Sequence, residues 1–204
     1  MYTPVKMKRN MKYGSNYWVG YSYKLRRHVH FYSDLEYENW ILVETNPEVE
    51  VFCEQPLRIQ YFLDGKKSES IFDMWIKEYN GNEYFVEIKY SSEIDGNSKK
   101  SFRTKKQIQV QQEWCKENQY VHQVITDKEI RENRILLENK RQMIPYTREF
   151  QSYNQEAHEP IFALLKHGKN KVSLCRTEWY ICVVRQNRGR IKNIHYFFTF
   201  LVYI

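Results

Sequence analysis

The chain has 204 residues, 42% of them hydrophobic and 16% aromatic, with a formal net charge of +7. That length holds one full domain and an appendage, and the apolar content supplies a core, so a disordered chain is excluded. No run of about 20 apolar residues is available to cross a membrane, and the basic start lacks an apolar stretch of signal-peptide type. Cys53, Cys115, Cys175 and Cys182 show no C-x-x-C spacing. Thiols in a reducing cytoplasm are the expectation, and a structural zinc site is not.

The charge is unevenly placed. Residues 1–33 hold seven Lys and Arg and no Asp or Glu, residues 166–204 hold eight and only Glu178, and the middle is acidic. Carboxylates suit a metal site and cationic arms suit a phosphate backbone; solvated basic tails are the plainer alternative. In the first arm Tyr13, Tyr17, Trp18, Tyr21 and Tyr23 precede Lys24, Arg26 and Arg27. That aromatic density argues for packing or stacking rather than a loose tail.

Along the chain, Ser33-Asp34-Leu35-Glu36 opens a helix that carries Trp40, Ile41, Leu42 and Val43 and stops near Asn46-Pro47. Ser33 and Glu36 fit a capping box, a purely structural explanation of Glu36. Residues 49–53 and 57–63 read as strands around Gln55-Pro56, with Asp64-Gly65 as a turn signal. Residues 71–79 and 84–90 read as a hairpin through Asn80-Gly81-Asn82. Next come a polar loop over 91–101, a helix over 102–118, a strand over 120–126 and a helix over 127–140, with Pro145 as a boundary. The tail reads as a short helix over 161–167, strands at 172–175 and 179–184, a turn at 187–190 and an apolar segment 196–204. Three regions are expected: a basic aromatic arm 1–33, a core domain 34–148 and a small C-terminal region 149–204. The core reads as α/β, one mixed sheet flanked by helices.

The register of the second hairpin bears on chemistry. Its apolar sets, Phe72, Met74 and Ile76 against Tyr84, Val86 and Ile88, are all even-numbered. One shared face requires paired residues to sum to an even number, hence a three-residue loop at 80–82 or a bulge. The same parity gathers Asp73, Glu87 and Lys89 on the other face. Two or three carboxylates (Glu36, Asp73, Glu87) and a backbone carbonyl, that of Ile88, suit one or two magnesium ions, with manganese as a substitute. Lys89 would orient a water or offset charge in phosphodiester hydrolysis. Taken singly, Glu36 is equally a cap, Asp73 an edge charge, and Glu87 with Lys89 a surface pair. Phe72, Met74 and Trp75 around Asp73 make a solvated acid there unusual. Lys99, Lys100, Arg103, Lys105 and Lys106 oppose the dipole of their own helix, which phosphates nearby would relieve. With Lys24, Arg26 and Arg27 they form the candidate DNA contacts. The six histidines show no metal-ligand spacing, and no glycine loop cradles phosphate.

Ser33-Asp34-Leu35-Glu36, Val51-Phe52-Cys53-Glu54-Gln55-Pro56, Ile59 to Phe62, Asp73, Val86-Glu87-Ile88-Lys89-Tyr90, Trp114-Cys115, Val124-Ile125-Thr126-Asp127 and Ile130-Arg131 resemble, in order and spacing, the TnsA-like transposon endonucleases over residues 20–145. The resemblance implies a restriction-endonuclease-like fold and a magnesium-dependent nuclease of the cytoplasm, associated with the bacterial nucleoid. It would cut the 5′ strands at transposon ends beside a DDE transposase, under an AAA+ ATPase regulator. Carried over, Glu36, Asp73 and Glu87 are metal ligands and Lys89 the catalytic lysine. Where the wider superfamily has Pro-Asp, this chain has Phe72-Asp73, and family members also carry Gln at the place of Glu87. The family's C-terminal domain implies a winged-helix-like, partner-binding appendage from Gln155 onward. The alternatives are a stand-alone restriction or repair nuclease of the same fold, or a catalytically silent DNA-binding assembly subunit.

Overall fold

The computed structural model describes residues 1–5, 7, 16–63, 65–144, 171–174, 181–187 and 190–196. Two units divide at Glu132/Asn133, whereas the boundary expected at 148 falls outside the described residues.

In the first unit the basic arm holds a hairpin, β1 (Trp18–Ser22) and β2 (Arg27–Phe31), followed by helix α1 (Asp34–Glu44). Gly20 on β1 lies against the ring of Trp40, where a Cβ would stand 2.6 Å from a ring carbon, so only glycine permits this approach. Ser33 caps α1 by accepting the Glu36 N–H at 3.1 Å. Helix α1 buries Leu35, Trp40, Ile41 and Val43.

Strands β3 (Val49–Glu54), β4 (Arg58–Leu63), β5 (Lys66–Ile71), β6 (Met74–Glu78) and β7 (Glu83–Lys89) follow, then helices α2 (Ser91–Asp95) and α3 (Lys99–Glu117), strand β8 (Val121–Thr126) and the single turn α4 (Asp127–Ile130). The central sheet runs β3-β6-β7-β8, antiparallel except for the β7–β8 pair. Helix α3 makes the crossover that a parallel pair requires. Met74 takes a contact from Asn39 on α1, while Trp75 packs with Phe85 and with Cys115 on α3. Adjacent strand residues point to opposite faces, so helices cover both sides of a mixed sheet. Among the described residues no helix is long and apolar enough to cross a membrane.

The hairpin parity is as the pattern requires. Met74 pairs with Val86, Trp75 with Phe85 and Ile76 with Tyr84. The loop sits one place earlier than expected, at 79–81: Glu78 donates its N–H to Asn82 O at 2.9 Å, and Gly81 takes φ 90. Other details differ from expectation. The strand expected over 71–79 is two strands, because the chain bends at Phe72-Asp73 between β5 and β6. That bend turns Phe72 away from Met74 and onto Phe85 and Trp114, with ring centroids 4.6 and 5.5 Å apart. The helix expected over 127–140 breaks where Arg131 caps α4.

In the second unit, α5 (Arg134–Met143) is capped by Asn133, which accepts the Leu136 N–H at 2.9 Å. Strands β9 (Lys171–Leu174), β10 (Ile181–Asn187) and β11 (Arg190–Tyr196) form an antiparallel sheet ordered β11-β10-β9. Among the described residues the last strand ends at Tyr196, where the apolar segment was expected to begin. The expected helix at 161–167, Pro145 and residues 197–204 lie outside the described residues.

Candidate functional site

Asp73 sits in the bend that leads into β6, and the register of β6 with β7, continued by one place, sets it opposite Glu87. Its Oδ2 accepts the Ile88 N–H at 2.7 Å. Within a strand a residue's N–H and C=O point the same way, so the Ile88 carbonyl also faces Asp73, beyond the end of β6. Lys89 Nζ lies 3.9 Å from Asp73 Oδ2 and 2.5 Å from Glu87 Oε1. Asp73, Glu87, Ile88 and Lys89 are thus together.

Glu36 approaches from the first turn of α1. Its carboxylate accepts the Tyr32 N–H at 3.1 Å and the Ser33 hydroxyl at 2.9 Å instead of the Ser33 N–H, so only the Ser33 half of the expected capping box forms. Gln55 ties it to the rest: Gln55 Nε2 donates to Glu36 Oε2 at 3.2 Å while the Gln55 N–H donates to Asp73 O at 3.0 Å. Gln55 takes a left-handed φ of 40 to do so, directly after the fully buried Glu54.

The cluster is short of positive charge. Burial, then repulsion from Asp73, pushes the Glu36 carboxyl up to about 7 and the Glu87 carboxyl to about 8. Burial raises Asp73 as well, against the pull of Lys89 and the Ile88 N–H. For Lys89, burial alone would lower the ammonium, but Asp73, Glu87 and Glu36 together outweigh it and raise it. Three carboxyls raised above their usual range near one ammonium, Glu87 fully buried and Asp73 and Glu36 half-buried, favour an added cation, and all the donors are oxygens, as magnesium and manganese prefer. Among the described residues no group of three or more Asp, Glu, His or Cys side chains is placed to hold a metal ion. Magnesium does not demand one, since it is commonly bound by one or two carboxylates, waters and substrate phosphate. Asp73, Glu36 and the Ile88 carbonyl fit that pattern.

The candidate DNA-contacting cations divide into two kinds. Arg27 forms a bidentate pair with buried Glu54, both bonds at 2.6 Å, and Lys24 Nζ donates to Val49 O at 2.7 Å, so both hold the fold. Burial lowers the Lys24 ammonium. Arg26 is exposed in the β1–β2 turn. At the start of α3, Lys99, Arg103 and Lys105 are exposed beside Phe102, which is 67% exposed; Lys105 also reaches Gly96 O at 3.4 Å, Lys100 pairs with Glu93, and Lys106 reaches Gln109 at 3.4 Å.

The family model for the TnsA-like endonuclease N terminal matches residues 46–127. The TnsA-like resemblance holds over that stretch, which is shorter than the expected 20–145. That stretch carries Gln55, Asp73, Glu87, Ile88 and Lys89, while Glu36 precedes it and is joined to the site by Gln55 alone of these hydrogen bonds. None of the curated proteins compared matches the chain.

Three residues at the site were not singled out for it in the sequence. In the sequence Gln55 marks the break between two strands at Gln55-Pro56 and belongs to the Glu-Gln-Pro block. Gln107 and Gln111, spaced i,i+4 on α3, both reach Glu87. Their signal was available: two amides one turn apart on an inward helix face need an interior partner.

Proposed function

We propose that the protein is a divalent-metal-dependent DNA endonuclease of restriction-endonuclease-like fold that cuts the 5′ strands at transposon ends, working with a DDE transposase and an AAA+ regulator. The family match supports the endonuclease class and its DNA substrate. The observation that carries the chemistry is the junction at the end of β6 and β7, where Asp73 takes the Ile88 N–H and Lys89 stands between Asp73 and Glu87.

Asp73, Glu36 and the Ile88 carbonyl would hold magnesium or manganese. When bound, the ion polarises the phosphoryl oxygen and acidifies water. The protein's own groups do the rest. Lys89 holds a proton-rich, positively charged group beside the reacting phosphate, offsetting charge that grows on its oxygens and orienting the attacking water. Gln55 keeps Glu36 and the Asp73 backbone in one frame. Lys99, Arg103 and Lys105 approach the phosphate backbone without reading sequence, so specificity comes from the partner.

The test maps cuts on end-labelled transposon-end duplexes in magnesium, with and without the transposase. The reading expects 5′-strand cuts that require both proteins. Robust site-specific cutting by this protein alone would favour a stand-alone nuclease. No cutting under either condition, with DNA still bound, would favour a silent assembly subunit.

A further inference from the structure

Glu87 differs from Asp73 in what surrounds its oxygens. Its side chain is fully buried, whereas the Asp73 side chain keeps 18% of its surface exposed. Glu87 Oε1 accepts Lys89 Nζ at 2.5 Å and Gln107 Nε2 at 2.8 Å, and Oε2 accepts Gln111 Nε2 at 2.7 Å. A carboxylate only accepts, so the two amides present their nitrogens to it. A cation that keeps waters and meets a substrate phosphate needs a ligand open to solvent, which Glu87 is not.

Gln111 is the second half of the argument. It is fully buried, and its Oε1 has no hydrogen-bond partner. An unpaired buried acceptor carries a desolvation cost that a leucine at that site would avoid. The same Nε2 also donates to Ser70 Oγ at 3.0 Å, on the strand that leads into the Asp73 bend. The amide thus joins α3, β5 and β7 at one atom, which suits the exact placing of a charge rather than packing.

We propose that Glu87 is not a cation ligand but a positioning residue, clamped by Gln107 and Gln111 so that it holds the Lys89 ammonium beside Asp73. This rests on the endonuclease reading and gives Glu87 a different task within it.

The test uses the full chain and two readouts that do not depend on cleavage. Manganese binding is followed by electron paramagnetic resonance of the free ion. Exposure of Lys89 is followed by its rate of reductive methylation, read by mass spectrometry. Asp73→Asn should weaken manganese binding by about tenfold or more, while Glu87→Gln and Gln111→Leu stay within about threefold of the parent. Gln111→Leu should speed methylation of Lys89 by about fivefold or more, because Glu87, then clamped by Gln107 alone, holds the ammonium less firmly. Gln107→Leu, at a half-buried position, gives the same readouts if Gln111→Leu does not fold. Glu87→Gln weakening manganese as much as Asp73→Asn would overturn the inference and leave the endonuclease reading intact. Unchanged methylation in both glutamine variants would overturn it as well. A parent that binds no manganese, or binds it equally with Asp73→Asn, would remove the metal site and the inference together.

Discussion

Metal binding at this site should be tightly linked to pH. The Glu36 carboxyl is raised to about 7 by burial and by Asp73, so a cation that takes Glu36 as a ligand must first displace its proton. With that value, roughly a tenth of Glu36 is ionised at about pH 6 and roughly nine-tenths at about pH 8. The apparent manganese affinity should therefore be about tenfold weaker at the lower pH, about 1.4 kcal/mol, and Asp73, also raised, can only add to this. The sign for stability runs the other way. A carboxyl raised above its unfolded value binds its proton more tightly in the folded chain, so metal-free stability is lost as pH climbs through about 7. The melting temperature of the metal-free protein should fall between about pH 6 and pH 8, and manganese should restore more at the higher pH. Equilibrium binding at the two pH values, with calorimetry in buffers of different ionisation enthalpy to count protons released, makes the check. Affinity that is flat with pH, or tighter at the lower pH, would show that Glu36 does not ligate the ion.

Arg27→Ala should destabilise the fold by about 3–5 kcal/mol in a denaturant titration, because it strands the buried Glu54; unchanged stability with weakened DNA binding would return Arg27 to the DNA interface. Gly20→Ala should cost about 1–3 kcal/mol, since its methyl group meets the Trp40 ring on a packed face, and a melting temperature equal to the parent's would show that Trp40 gives way freely. Replacing Lys99, Arg103 and Lys105 together by Ala should lower the slope of log affinity against log salt by about 2–3 for duplex DNA; an unaltered slope would place the phosphate contacts elsewhere.

Much of the central hairpin was legible because one constraint governed it: apolar residues must share a face, and that parity alone placed Asp73 against Glu87 and Lys89. The capped start of α1 was equally plain in Ser33 and Glu36. Phe72 leaves the face that its parity predicts, because a bend at Asp73 interrupts the two-residue period. Strand β5 has no signal in the sequence, since Lys66, Lys67, Ser68, Glu69 and Ser70 show no apolar alternation and the strand is held by its pairing with β4. The break before α5 was hidden by continuous helical composition, and Asn133 was the available signal for a new cap. The double role of Arg27 and Lys24 was out of reach, because a basic residue in a basic arm looks the same whether its partner is a phosphate or a buried Glu54.

Whether the cluster at the end of β6 and β7 cleaves DNA is decided by nicking of a supercoiled plasmid that carries a transposon end, with the transposase present and manganese as cofactor. The parent should convert plasmid to the nicked form only when the divalent ion is added, and Asp73→Ala and Lys89→Ala should each lower that rate by about a hundredfold or more while still binding the DNA. Nicking by both variants at the parent's rate would contradict the account.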